Sequence, residues 1–315
     1  MAQASDYTID NSTGANVRAD INTVLQAIAT NNSGSSAPST TFASGFFANT
    51  STTMMQLRNT SNNAFVNLFT LAGGPAFPID GTINSINIGK GANSIAGNTV
   101  LGESALDASV SGGNNTAIGK NALTANTSAT NNVAIGVSAL EACTTSGANT
   151  AVGKDALKSN TAANNVAIGV DSLQANTSGT TNTAVGTFAL QANTSASNNT
   201  GVGYSSLLLN TTGTNNTAIG ANSLDACTTG SSNTAVGQDA LGAATEASNN
   251  TAVGHQTLDA VTTGGDNTAI GKGALTSLST GTQNQCMGVN AGVNLTTGGL
   301  NTAIGAFALG TCVSG

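Results

Sequence analysis

One pentapeptide recurs through the last two thirds of the chain. Asn98-Thr-Val-Leu-Gly102 returns as Asn115-Thr-Ala-Ile-Gly119, as Asn132-Val-Ala-Ile-Gly136, and so on to Asn301-Thr-Ala-Ile-Gly305. The closing glycines (Gly102, Gly119, Gly136, Gly153, Gly169, Gly186, Gly203, Gly220, Gly237, Gly254, Gly271, Gly288 and Gly305) are joined by twelve steps. Eleven of these are 17 residues and the step from Gly153 to Gly169 is 16. A short fixed period means that each unit is one turn of structure, unable to bury its apolar face alone and stabilised by stacking on its neighbours. Helical repeats need about 33 residues or more, and a unit crowded with Thr, Asn, Gly, Val and Ile is a poor helix former. The expected fold is therefore all-β: a parallel β-solenoid or β-roll of about thirteen 17-residue coils.

The columns of the repeat assign directions to side chains. The residue before the glycine is always large and apolar, from Leu101 and Ile118 to Met287 and Ile304, and is expected to fill the coil. Four after the glycine stands Leu, from Leu106 to Leu309, interrupted by Gly292, giving a second core column. Two before the glycine is Ala, except at Val100, Gly201 and Cys286. Alternation turns that residue away from its large neighbour. A column held so small points to close approach by another chain. Ala117, Ala134, Ala151, Ala184, Ala218 and Ala235 are thus the expected interface of a homotrimer. Seven after the glycine, Asn160, Asn176, Asn193 and Asn210 follow one another, the pattern of a stacked amide ladder.

The remainder of the chain divides by composition. Residues 1–40 form an N-terminal segment in which Val17, Ile21, Val24 and Ile28 make a helical stripe, predicting a helix over about 17–30. Pro38 and its Ser/Gly neighbours read as a linker, and 41–72 alternates like a small β-meander. Residues 73–97 read as a neck and a first, shorter coil containing Ile86-Asn-Ile-Gly89, and 98–315 as the repeat shaft. All three prolines precede the shaft, where each coil must donate backbone N–H groups to the next.

With 3% aromatic and 7% charged residues and no Trp, 315 residues can build a thin, long core more readily than a compact one. A net charge of −7 argues against nucleic acid and anionic membranes as partners. No signal peptide and no membrane-spanning apolar run is legible. Cys143, Cys227 and Cys312 share a column several coils apart, too far to bond, and with Cys286 read as small buried hydrophobes. No catalytic, cofactor-binding or metal-binding pattern is present, and His255 stands in a variable column.

One pair of carboxylates invites an enzymatic alternative. Asp155 and Asp171, both two after their glycines, fall side by side as in polysaccharide-degrading fibres, although Lys154, Lys158 and Glu141 make a solvated charge cluster the plainer reading. A second alternative is an ice-binding threonine array. It is weakened because the Thr three before the glycine shares a face with the supposed core Ile or Val.

The unit Asn216-Thr-Ala-Ile-Gly-Ala-Asn-Ser-Leu closely resembles repeats of bacteriophage tail fibres and is similar to the head repeats of trimeric autotransporter adhesins. The opening Met1-Ala-Gln-Ala-Ser-Asp-Tyr-Thr-Ile-Asp resembles the start of fibre proteins of marine cyanobacterial phages. The resemblance implies a non-enzymatic homotrimeric tail fibre without cofactor or membrane insertion. It would be made in the host cytoplasm, be held to other virion proteins by its N-terminus, and contact a host surface glycan or protein. No chaperone domain follows the repeats, which departs from the phage pattern. Columns one, two and five after the glycine vary and so are expected to face outward. Among them Phe307, Tyr204 and Phe188 are the expected host-contact residues.

Overall fold

The computed structural model describes Ser33–Gly34, Phe46–Asn49, Met54–Arg58, Phe65–Thr70, Gly81–Ile83, and residues 86–109 and 111–314. The expected helix over 17–30, the linker at Pro38 and the neck at 73–80 lie outside the described residues. The chain forms two units, Met1–Ile79 and Asp80–Gly315.

In the first unit, β1 (Ser33–Gly34) pairs parallel with β2 (Phe46–Asn49). Strand β2 then runs antiparallel to β3 (Met54–Arg58), and β3 to β4 (Phe65–Thr70), with an irregularity between Met55 and Gln56. This is the meander that the alternating apolar runs predict.

The second unit is a 15-stranded sheet whose spatial order follows the chain. It begins with an antiparallel hairpin of β5 (Gly81–Ile83) and β6 (Ile86–Gly89), and β6 pairs antiparallel with β7 (Thr99–Gly102). The first short coil expected at 73–97 is therefore not a coil. The physical reason is length: a parallel return takes a dozen or more connecting residues, and only 90–98 lie between β6 and β7. From β7 through β8 (Thr116–Ile118) to β19 (Thr302–Ile304) every pairing is parallel and in repeat register, Ala151 beside Ala134 and Ala167, for example. Twelve parallel steps at about 4.8 Å make this sheet on the order of 58 Å long.

The closing glycine is required by stacking. At Gly153, where φ is +138°, an added Cβ would stand 2.3 Å from the carbonyl oxygen of Gly169, and at Gly119 the same contact with Gly136 would be 2.6 Å. The chain then turns through left-handed backbone two and four residues later, as at Asp155 (φ 56°) and Leu157 (φ 51°). A left-handed leucine costs about 1–2 kcal/mol. Full burial of the side chain stabilises by about 1.5–3 kcal/mol, and Leu106, Leu123 and their counterparts to Leu275 are fully buried. Their N–H groups also bond the next coil, Leu106 to the Ala122 carbonyl and Leu123 to that of Ala139, each at 3.0 Å. Burial and the hydrogen bond together outweigh the strain.

The faces of the shaft strands are the reverse of the sequence expectation. Ala117, Ala134, Ala151, Ala184, Ala218 and Ala235 are all 0% exposed and belong to the coil's own core, so they cannot form an interface with another chain. The large residues beside them point outward: Leu101, Ile135, Ile168, Ile219 and Met287 are 36–48% exposed. The interior is narrow. A Cβ built at Gly201, in the alanine column, would lie 3.4 Å from Cγ of Leu190, so the leucine column leaves room opposite it for little more than a methyl group. The alanines are small because their own coil crowds them. Where the leucine column fails, the alanine column compensates. A Cβ at Gly292 would meet Cys286 Sγ at 3.0 Å, so the sulfur reaches toward the space a leucine would take.

Two amide ladders complete the core. Asn176 donates to Asn160 Oδ1 at 2.6 Å, Asn193 to Asn176 at 2.7 Å and Asn210 to Asn193 at 3.0 Å, as expected. The second, longer ladder is the first residue of the motif. The Asn115 N–H donates to Asn98 Oδ1 at 2.8 Å and that of Asn132 to Asn115 Oδ1 at 2.9 Å, continuing to Asn301 on Asn284. Each amide from Asn98 to Asn284 also donates across to the turn that closes its own coil, Asn199 to Gly213 and Asn216 to Gly230 at 2.8 Å. Only Asn, carrying a donor and an acceptor on so short a side chain, serves both bonds. The 16-residue coil is shortened in that turn, where Asn160 bonds the Ala162 carbonyl two residues on, whereas Asn176 bonds Gly179 three residues on.

Candidate functional site

The outward face of the shaft strands carries two parallel columns. One holds Thr at nearly every coil (Thr99, Thr116, Thr150 and onward to Thr302), with Val133, Val166 and Gln285 as exceptions; the other holds Leu101, Ile118, Ile135, Val152 and onward to Ile304. Thirteen coils place no charge in either column. With the two columns some 10 Å across including their side chains, the strip covers on the order of 600 Å². That is at the upper end of what a monomer's largest apolar patch covers. The strip's outward placement is the reverse of the expectation because the alternation of the strand was assigned the wrong way round. The argument against a threonine array falls with it, since Thr and Ile or Val share the outer face.

The variable columns lie beyond the glycine turn. Tyr204 is 55% exposed, Phe188 is half-buried, and their rings meet edge to face with centroids 5.9 Å apart, so the turn brings these two expected contact residues together. Phe307 is 64% exposed in the last described coil, well apart from that pair in sequence, in the company of Ile304 at 74%. The column two after the glycine needs left-handed backbone, which explains its Ser, Asn, Asp and Gly, with Gln256 the one longer polar residue. Phe188 and Phe307, at φ 62° and 58°, are the bulky exceptions.

The same column explains Asp155 and Asp171. Asp155 is buried, contrary to its expected outward placement, and is held by Lys154 and by Lys158, the latter at 3.1 Å, with Glu141 3.8 Å from Lys158. Burial pushes the Asp155 carboxyl up, but hydrogen bonds and charge from the two lysines outweigh it and hold its pKa below the usual value. The same pairing raises both lysines. Asp171 instead accepts a hydrogen bond from Gln174 at 2.9 Å. A covered carboxylate held ionised by two ammonium groups is poorly suited to act as a general acid.

Further along, Gly242 sits between Asp225 and Asp259, and a Cβ there would stand 2.7 Å from Asp259 Oδ1. Burial and the neighbouring carboxylates Asp239 and Asp259 push Asp225 up, against hydrogen bonds from backbone N–H groups. Burial and Asp239 likewise push up Asp259. Among the described residues no group of His, Cys, Asp and Glu could hold a metal ion, and no helix is long and apolar enough to cross a membrane. The thiols of Cys143 and Cys227 are buried and pushed up to about 11 by desolvation, against a lowering hydrogen bond to Ser146 or Gly230.

Compared with known protein families, curated proteins and solved structures, the chain matches none of them.

Proposed function

We propose that the chain is a structural fibre protein: three copies associate through the outward Thr and Ile/Val columns into a shaft of a virion tail fibre. The N-terminal segment binds other virion proteins, and the turns beyond the glycines meet a host surface. The observation that carries this reading is the uncharged outward strip, unbroken over thirteen coils. Half-exposed Ile, Val and Leu in so long a row are costly in water, and at about 25 cal/mol per Å² their burial against identical strips drives association. A strip on the order of 600 Å² approaches the roughly 800 Å² that each partner of a stable complex commonly contributes. Identical strips on a closed three-fold axis also bury one another without leaving a free apolar edge. The resemblance of the repeat and of the first residues to phage fibres supports the same assembly. Light scattering tests it. The wild type is expected to run as a trimer, while Val185→Lys with Val202→Lys, both on the outer column, yields a folded monomer. A wild-type monomer at micromolar concentration would refute the assembly.

The same strip favours one other reading. A flat, rigid array of Thr-x-Val and Thr-x-Ile, repeating at about 4.8 Å, suits binding to an ice lattice, provided the strip stays free of other copies. Thermal hysteresis by the wild type, abolished by Thr200→Lys, supports it; freezing without hysteresis removes it.

A further inference from the structure

The turns around Phe188 and Tyr204 differ from the rest of the solenoid. Tyr204 rises between small neighbours in its column, Thr187 and Ala221, so a large part of its ring stays in water. Phe188 holds that ring from the side, and its own backbone is left-handed at φ 62°, where the column otherwise selects small or polar residues. A bulky residue kept in left-handed conformation is held there by what its ring does, here bracing Tyr204, because Asn or Gly would serve the turn at lower cost. The backbone beneath is fixed. Phe188 N–H donates to Val170 at 3.0 Å, Asn222 N–H to the Tyr204 carbonyl at 2.9 Å, and Gln191 N–H to the Phe188 carbonyl at 3.3 Å.

In the same turns Asp171 and Phe188 share one column and, three residues on, Gln174 and Gln191 share the next, a line of planar polar groups. Gln174 donates to Asp171 Oδ1 at 2.9 Å, and Gln191 approaches Gln174 Oε1 at 3.5 Å. Each amide nitrogen carries two donors, so each keeps one beyond this relay, and each carboxylate or amide oxygen has a second lone pair. A rigid, partly wet aromatic face next to oriented amides and a carboxylate matches a sugar ring. Such a ring has one apolar C–H face to lay on an aromatic ring and hydroxyls at its rim that both donate and accept. Asp171 lies within electrostatic reach of Lys154, so the charge beside the rings is close to balanced and suits a neutral sugar.

We propose that Tyr204 and Phe188, with Gln191, Gln174 and Asp171, form a binding platform for a neutral pyranose of a surface glycan. This rests on the adhesive part of the fibre reading and names its ligand class and its place. The site sits on the turns that follow the strip residues Val185 and Val202, and one copy of the chain supplies all of it.

The chain has no Trp and two tyrosines, Tyr7 and Tyr204, so in a Tyr7→Phe background tyrosine emission reports on Tyr204 alone. Full-length protein is titrated with neutral oligosaccharides of glucose, galactose, mannose and N-acetylglucosamine, and with a sialylated oligosaccharide, following emission and, for variants lacking Tyr204, calorimetric heat. At least one neutral sugar is expected to bind. Tyr204→Ser weakens it roughly tenfold, Tyr204→Phe preserves it, and Gln191→Ala weakens it several-fold, with unchanged circular dichroism throughout. Absence of binding by every neutral sugar, binding of the sialylated one alone, or equal affinity in Tyr204→Ser overturns the proposal. Light scattering on the same samples separates the readings. Trimers that bind no sugar leave the fibre reading standing and this one fallen, and a monomer that binds sugar through Tyr204 does the opposite.

Discussion

The two faces of each three-residue shaft strand have nearly the same chemistry and opposite circumstances. Inward stands a single small residue, Ala218 for example, with no exposed surface; outward stand Thr217 and Ile219, the latter 42% exposed. Both columns hold their character through thirteen coils. The inner column keeps its size because the leucine column opposite confines it. The outer keeps its chemistry with no neighbour in its own chain to confine it. Constancy thus has two sources here, and only the inner one is accounted for by the single chain.

Substitutions on the two faces measure the difference directly. Leu224→Ala, behind the strand, is expected to cost about 2–5 kcal/mol, and Ala218→Leu about 1–3 kcal/mol through overpacking. Ile219→Lys, one residue on, should leave the urea midpoint of an isolated chain nearly unchanged. If Ala218→Leu proves neutral while Ile219→Lys unfolds the monomer, the faces have been assigned backwards.

A smaller effect contrasts two carboxylates on the turns. Asp155 has a lowered pKa, so its stabilisation is complete above the unfolded value of about 3.9 and is lost as pH falls through the folded value. Asp225 has a raised pKa, so it favours the fold while protonated and loses that as pH rises through the folded value. Asp155→Asn should therefore destabilise at pH 7, by on the order of 1 kcal/mol because its lysine partners are largely in water. Asp225→Asn should stabilise at pH 7, and both differences should shrink by pH 3. Urea midpoints at the two pH values decide; the same sign for both variants at pH 7 would contradict the assignment.

The fold, its leucine column and its amide ladder were legible, and the facing of the strand was not. Period, composition and the position of the prolines suffice for a stacked β coil, because no other structure closes in 17 residues. Which side of Thr-Ala-Ile is buried does not follow from alternation, which defines two faces without ranking them, and size alone ranked them wrongly. The leucine column held the missing information. A full column of leucines across a thin coil leaves space for alanine and none for isoleucine, but this requires knowing that Leu157 and its counterparts sit at φ near 50°, which no leucine propensity foretells. The turn column was more readable in principle, since its Ser, Asn and Asp are residues that tolerate left-handed backbone. Tyr204 and Phe188 stand out in the sequence as large aromatics in variable columns, and stacking alone places Gln174 and Gln191 in one column three residues beyond Asp171 and Phe188.

The smallest expected effect concerns the thiols. Cys143, Cys227 and Cys286 are buried and shifted upward by desolvation, whereas Cys312 is partly exposed. Native protein at pH 8 should react with a thiol reagent at Cys312 first and at the other three only on unfolding. Rapid labelling of Cys227 would mean that the narrow interior opens.

Because every junction from Asn98 to Asn301 repeats the same strand pairing and the same bond between motif asparagines, a coil can be added or removed outside the Asn160–Asn210 ladder with that frame unchanged. The amide of Asn199 meets Asn216 as that of Asn250 meets Asn267. Unequal exchange between such similar stretches of gene would then lengthen or shorten the rod in increments of about 4.8 Å, each increment arriving with its own share of core. The short coil closing at Asn160 and Ala162 marks where the ruler tolerates an error: a residue may be dropped from the closing turn, while the strand, the glycine and the leucine keep their places. Reach is inherited in whole units here, and surface chemistry can be rewritten one unit at a time.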